Sequence, residues 1–140
     1  MYFNRVNYSK YNNNKVEYNG VIFDSKKELR FFLYLKDLEK DNIIKDIKRQ
    51  VKYEIQPAFK YNSQAIRSIN YIADFTVVVL DVEKFKNAIG YRDEKKGHAA
   101  ADDDIKAGKT VILDTKGYKT EVYKLKYKLM LYRGHKIFEI

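Results

Sequence analysis

Ile69-Asn70-Tyr71-Ile72-Ala73-Asp74-Phe75-Thr76-Val77-Val78-Val79-Leu80 is the longest β-type run in the chain. Its β-branched content, densest from Val77 to Val79, suits a pleated buried surface and predicts a central strand. Asp74 stands in the middle of this run. A carboxylate there is costly unless it is compensated, either by a buried ion pair or by a bound ligand that uses it. A second segment, Val111-Ile112-Leu113-Asp114-Thr115-Lys116-Gly117, repeats the pattern. Residues two apart on a strand share a face, so Asp114 and Lys116 are expected to point one way and Leu113 and Thr115 the other. Carboxylates on two strands with an ammonium beside one of them point to metal-assisted phosphate chemistry.

Upstream, residues 1–19 are rich in Asn, Tyr and Lys and read as an N-terminal arm or an edge hairpin, followed by the turn pair Asn19-Gly20. Asp24-Ser25-Lys26-Lys27-Glu28 opens a helix running to about Lys40. Phe31, Phe32, Leu35 and Leu38 form its apolar stripe, and Glu28 lies over that buried side. Ser25 and Glu28 also fit a capping box, with Glu28 bonding back to the Ser25 backbone. Val51, Tyr53 and Ile55 alternate with polar residues from Gln50 to Gln56, and Pro57 stops this first core strand.

Asn62-Ser63 marks a turn before the central run. Residues 81–109 become polar and glycine-bearing and read as an insertion between two paired core strands, with Asp102-Asp103-Asp104 as a solvated charge run. Strand character returns from Thr110 to Lys116. A last helix, from about Lys119 to Tyr132, carries Val122, Leu125, Leu129 and Tyr132 at helical spacing and ends at Gly134. Lys136 to Ile140 suits a short terminal strand. The order is α-β-β-β-α-β, which predicts an α/β fold with a mixed central sheet flanked by helices. The 140 residues, without an internal repeat and with a single proline, make one domain spanning 1–140.

Lysine and arginine total 28 against 19 acidic residues, a net charge of +9 that favours a polyanionic partner such as nucleic acid. The absence of cysteine excludes disulfides, thiolate metal sites and cysteine nucleophiles. With only His98 and His135, both expected at the surface, a zinc site is disfavoured and any metal is a hard, oxygen-seeking one. No apolar run approaches the ~20 residues that span a bilayer. Met1 to Lys10 also lacks the apolar core of a signal peptide, so a cytoplasmic protein without membrane attachment is expected.

Phe23-Asp24-Ser25-Lys26-Lys27-Glu28, Tyr71-Ile72-Ala73-Asp74-Phe75 and Asp114-Thr115-Lys116-Gly117 with the basic helix after it together resemble the PD-(D/E)XK nuclease superfamily. The resemblance is closest to small phage-encoded endonucleases associated with Holliday junctions and other branched DNA, and it covers roughly Gly20 to Ile140. It implies a restriction-endonuclease-like core and a Mg²⁺-dependent endodeoxyribonuclease, with Mn²⁺ substituting. It also implies a homodimer, located in the host cytoplasm if a phage encodes it. By resemblance Asp74 takes the metal-binding aspartate position, Asp114 the second acidic position, Lys116 the lysine position and Glu28 that of the helical glutamate. Ala73 stands where the family has proline, and the short Asp114 where many members carry glutamate.

The residue types fit that chemistry in their own right. Hydrolysis of a phosphodiester needs an activated water and relief of developing charge, and Mg²⁺ held by carboxylates supplies both. Asp74, Asp114, Glu28 and the Thr115 carbonyl are the candidate metal ligands, and Lys116 is the candidate for orienting water or stabilising phosphate charge. From Lys116 to Ile140 there are seven basic residues against two acidic ones, a density suited to tracking a DNA backbone. Lys119, Thr120, Lys124 and Lys126 are the expected contacts. The rival reading is a basic nucleic-acid-binding module without catalysis, and a third is a structural phage or mobile-element protein that uses its basic face for assembly.

Overall fold

The computed structural model describes residues 14–90, 105–115 and 118–140. The charge run at Asp102 to Asp104, His98, Lys116 and most of the N-terminal arm lie outside the described residues. The chain first makes a hairpin of β1 (Val16–Tyr18) and β2 (Val21–Phe23), closed across Asn19-Gly20. Both turn residues have positive φ, 49° and 77°, as a two-residue loop matched to strand twist demands.

Helix α1 (Lys26–Lys40) starts at Ser25, whose Oγ accepts the Glu28 N–H at 3.1 Å. Glu28 itself reaches one residue further back than a capping box would, accepting the Asp24 N–H at 3.2 Å. The helix ends with Asn42 at φ 56° while the Ile43 N–H reaches the Leu38 carbonyl at 3.0 Å, so the last carbonyls are satisfied as the chain turns into the sheet.

The sheet has the order β3 (Ile44–Gln56), β6 (Ile69–Val79), β7 (Thr110–Asp114), β8 (Ile137–Glu139). β6 is antiparallel to both of its neighbours, β3 and β7, and β7 and β8 are parallel. A parallel pair needs a crossover, which α3 (Glu121–Tyr132) provides. The protein is therefore α/β with a mixed central sheet. The six predicted elements occur in the predicted order, preceded by the β1–β2 hairpin, whose first strand lies in the segment read as an arm or an edge hairpin, and with two additions: a second hairpin of β4 (Phe59–Tyr61) and β5 (Gln64–Ile66), and helix α2 (Val82–Ala88). The expected polar insertion thus begins with a helix that belongs to the core. Asp81 caps it, Phe85 is fully buried, and the Tyr34 hydroxyl on α1 donates to the Ala88 carbonyl at 3.0 Å. A seven-residue helix with one buried anchor leaves too short an apolar period to be read from sequence.

Strand β6 serves two cores. Phe75, Val77 and Val79 pack with Phe31, Leu35 and Leu38 of α1 and with Phe85 of α2. Tyr71 and Ala73, of the same strand parity, pack instead with Tyr123 and Met130 of α3. The change-over falls at Asp74. It coincides with Gln50 on β3, a non-glycine residue at φ 51°.

The predicted stripe of α3 is corrected by the structure. Val122, Leu125 and Tyr132 are exposed, and the helix docks through Tyr123, Met130 and the half-buried Tyr127. Apolar residues lie on nearly every side of this helix, so its spacing admits two phases, and the crossover geometry selects the tyrosine phase. Met130→Ala is expected to cost about 2–5 kcal/mol of stability. Leu125→Ala, at a position 58% exposed, should stay within about 0.5 kcal/mol, as read by denaturant unfolding.

Candidate active site

Strand register assembles the candidate residues. Read one step beyond Phe75↔Leu113, the antiparallel β6–β7 pairing sets Asp74 level with Asp114. Between Arg49↔Phe75 and Val51↔Ala73 the β3–β6 pairing sets Gln50 level with Asp74, and on the far side Asp114 pairs with Glu139. One row of polar residues, Gln50, Asp74, Asp114 and Glu139, therefore crosses all four strands of the sheet. Directly opposed residues of antiparallel strands are close neighbours, which brings the two predicted aspartates together.

Each carboxylate is held. Asp74 Oδ2 accepts both the N–H and the Oγ1 hydroxyl of Thr115, each at 2.9 Å. Thr115 thus orients Asp74 through its amide and side chain, a role its predicted position on the opposite face from Asp114 did not anticipate. Asp114 is fully buried, and its Oδ2 accepts the Tyr71 hydroxyl. Burial, and after it the neighbouring Asp114 carboxylate, raise the affinity of the Tyr71 phenol for its proton. Tyr123 is shifted the same way by burial, Asp114 and Glu139. Both phenols stay protonated and Tyr71 remains a donor to Asp114.

Glu28 reaches the row from α1. It is 2% exposed, and its Oε1 accepts from Arg49 Nη2 at 3.4 Å and from Gln50 Nε2 at 3.3 Å. Arg49 is fixed in turn: its guanidinium carbon lies 3.9 Å from the Phe23 ring centroid, and Nη2 also donates to the Ile22 carbonyl at 3.0 Å. The β1–β2 hairpin therefore braces the cation that orients Glu28. Burial chiefly, and then the charges of Asp74 and Asp24, raise the Glu28 pKa, while the hydrogen bonds from Asp24 and Arg49 oppose the rise.

Arg49, Gln50, Tyr71 and Glu139 were missed as site residues. Gln50 reads as the polar start of an alternating strand, Arg49 falls just before that strand, and Tyr71 reads as one position of the central run. Glu139 is visible only once the crossover lays β8 beside β7. Among the expected backbone contacts, Lys119 pairs with Glu139 at 2.6 Å and Lys124 with Glu121 at 3.1 Å. Thr120 caps α3 by accepting the Tyr123 N–H, and Lys126 is half-buried. Lys116 lies outside the described residues. A cleft of about 330 Å³ lined by Tyr53, Ile112, His135 and Phe138 excludes Glu28, Asp74 and Asp114.

As to a cation, the donor set is all oxygen, and the charges of Asp74 and Asp24, which add to the effect of burial on the Glu28 pKa, are of the kind a divalent ion relieves. The residues fit a hard ion by that chemistry. Among the described residues no three acidic or imidazole groups converge into a preformed cage.

Two measurements test this electrostatic picture. Glu28 binds its proton more tightly in the folded chain than at its ordinary value of 4.5. The stability it contributes is thus full below that pH and is lost as pH rises through the raised value. The difference in Tm between the wild type and Glu28→Gln should accordingly fall from acid to neutral pH. Tyr71→Phe strips a donor from the buried Asp114 and should cost about 1–3 kcal/mol, a cost that shrinks in the Asp114→Asn background.

No curated protein and no solved structure matches the chain. A family model described as "Protein of unknown function (DUF1064)" matches residues 8–89. That stretch contains Glu28, Arg49, Gln50 and Asp74 and stops before β7. The match takes in more than half of the 140 residues, and the chain belongs to this family.

Proposed function

We propose that the protein is a metal-dependent endodeoxyribonuclease with a restriction-endonuclease-like core, acting on branched DNA such as a four-way junction. The observation that carries this reading is the levelling of Asp74 with Asp114 across β6 and β7, with Glu28 electrostatically coupled to Asp74. Asp74 and Asp114 hold the divalent ion, Mg²⁺ or Mn²⁺, and Glu28 contributes at its edge. When bound, such an ion lowers the pKa of a coordinated water and offsets charge on the phosphate. Thr115 fixes the rotamer of Asp74, and Tyr71 does the same for Asp114, so neither carboxylate must reorganise when the phosphate arrives. Arg49 and Gln50 keep Glu28 aimed along the row. Lys116, two residues on from Asp114, supplies the ammonium for the phosphate.

The excess of basic residues from Lys116 onward supports backbone contact beside the site, with Lys119, Thr120, Lys124 and Lys126 as its members. The ion pairs of Lys119 and Lys124 are exchanged for phosphate at little net cost, since both lysines are about half-exposed. Resolution of a junction requires two symmetric cuts, hence two sites and a homodimer.

A second reading, the non-catalytic binding module, is favoured by the absence of a preformed cage among the described residues and by the hydrogen bonds already filling Glu28. Labelled four-way junction, flap, splayed and linear duplex DNA incubated with Mg²⁺ separate the two. The nuclease reading expects paired nicks, preferentially in the junction. Asp74→Asn and Asp114→Asn should each lower cleavage about a hundredfold or more, comparable to losing one preorganised transition-state group, while DNA binding persists. Binding without cleavage in the wild type would establish the module instead.

A further inference from the structure

The β4–β5 hairpin is a ribbon with almost nothing beneath it. It forms a sheet of its own, and from Pro57 to Arg67 only Ile66 is even half-buried. A lone two-stranded hairpin is marginal in water. This one nevertheless turns through Asn62 and Ser63, both at positive φ, 45° and 63°, a conformation that serine rarely adopts. Its side chains do not stabilise it through a core, which directs attention to what they present.

Phe59 and Tyr61 are two residues apart on one strand and share a face, at 49% and 66% exposure. The strand rise spaces them by about 7 Å, the separation of two stacking intervals in nucleic acid, each roughly 3.4 Å. Around them are small or polar residues; Lys60, between the two rings in sequence, and Arg67, next after Ile66, take the alternate positions and add positive charge to the ribbon from its other face. No acidic residue occurs between Glu54 and Asp74. Flat exposed rings on a ribbon that carries cations and no acidic residue match an unpaired base of a polyanion. The ribbon is also continuous with β6. Arg67 precedes Asp74 by seven positions, a path of roughly 23 Å along the chain at strand rise.

We infer that the β4–β5 hairpin is a base-stacking finger, in which Phe59 and Tyr61 receive an unpaired base of the DNA. It rests on the DNA reading of the site and names the element that would confer preference for branched over linear substrates.

The test uses the full chain carrying Asp74→Asn, so that binding is read without cleavage. Its probes are a four-way junction and a single strand, each with 2-aminopurine at an unpaired or branch-point position, and a matched linear duplex. The expected result is quenching or a spectral shift of 2-aminopurine on binding. With F59L/Y61L added, which keeps apolar bulk but removes the rings, that signal should vanish. Affinity for the junction and single strand should then fall about tenfold or more, as for loss of a stacked base, with duplex affinity within twofold. Both rings are exposed, and an unchanged Tm would verify folding. Unchanged signal and affinity in F59L/Y61L would overturn the proposal, as would an equal loss on all three DNAs or binding only to anionic vesicles. Cleavage by the wild type with a silent hairpin would sink this inference alone. A live hairpin without cleavage would sink the nuclease reading and leave the finger standing.

Discussion

The register between β6 and β7 is the constraint on which the remainder of the site depends. Pairing Phe75 with Leu113 buries both in one apolar core and, one step along, sets Asp74 beside Asp114. Side chains alternate with a period of two, so a slip of one residue would expose the core set and part the carboxylates. Packing and site geometry are therefore fixed by the same hydrogen-bond ladder, and the apolar residues flanking each aspartate are what enforce the alignment of the two.

Around that ladder the protein tolerates a concentration of negative charge that most interiors avoid. It does so by assigning each acid its own donors: Thr115 to Asp74, Tyr71 to Asp114, Arg49 and Gln50 to Glu28, Lys119 to Glu139. The Glu28 pKa is raised chiefly by burial, with the charges of Asp74 and Asp24 adding to the rise. A partly uncompensated carboxylate beside a polar row, in a chain of net charge +9, is what the proposed cation and polyanion would complement.

The peripheral elements acquire a sense from this centre. The β1–β2 hairpin gives up its Phe23 ring and Ile22 carbonyl to immobilise Arg49, and so acts on Glu28 from outside the sheet. The strained φ of Gln50 lies where β6 changes from one core to the other, at the position level with Asp74. Local strain at such a place is consistent with a functional constraint on the backbone, because regular pleating would have aimed the Gln50 amide elsewhere.

Much of this was legible in the linear chain. The run from Ile69 to Leu80 declared a buried strand with one anomalous carboxylate, Ser25 and Glu28 declared a helix start, and Asn19-Gly20 and Gly134 declared their turns, because these signals are local and depend on period, capping and φ preference. The phase of α3 was not legible, since Val122-Leu125-Tyr132 and Tyr123-Tyr127-Met130 are both helical stripes, Leu129 packs at the edge of the second, and only docking against Ile112 and Ile137 chooses between them. Nor were Arg49, Gln50, Tyr71 and Glu139, whose significance lies in which strand pairs with which. Sequence by itself determined which residues are out of place in an apolar strand. Tertiary structure alone decided who stands beside them, because neighbours across a sheet are set by register and chain crossover, and neither leaves a mark at a single position.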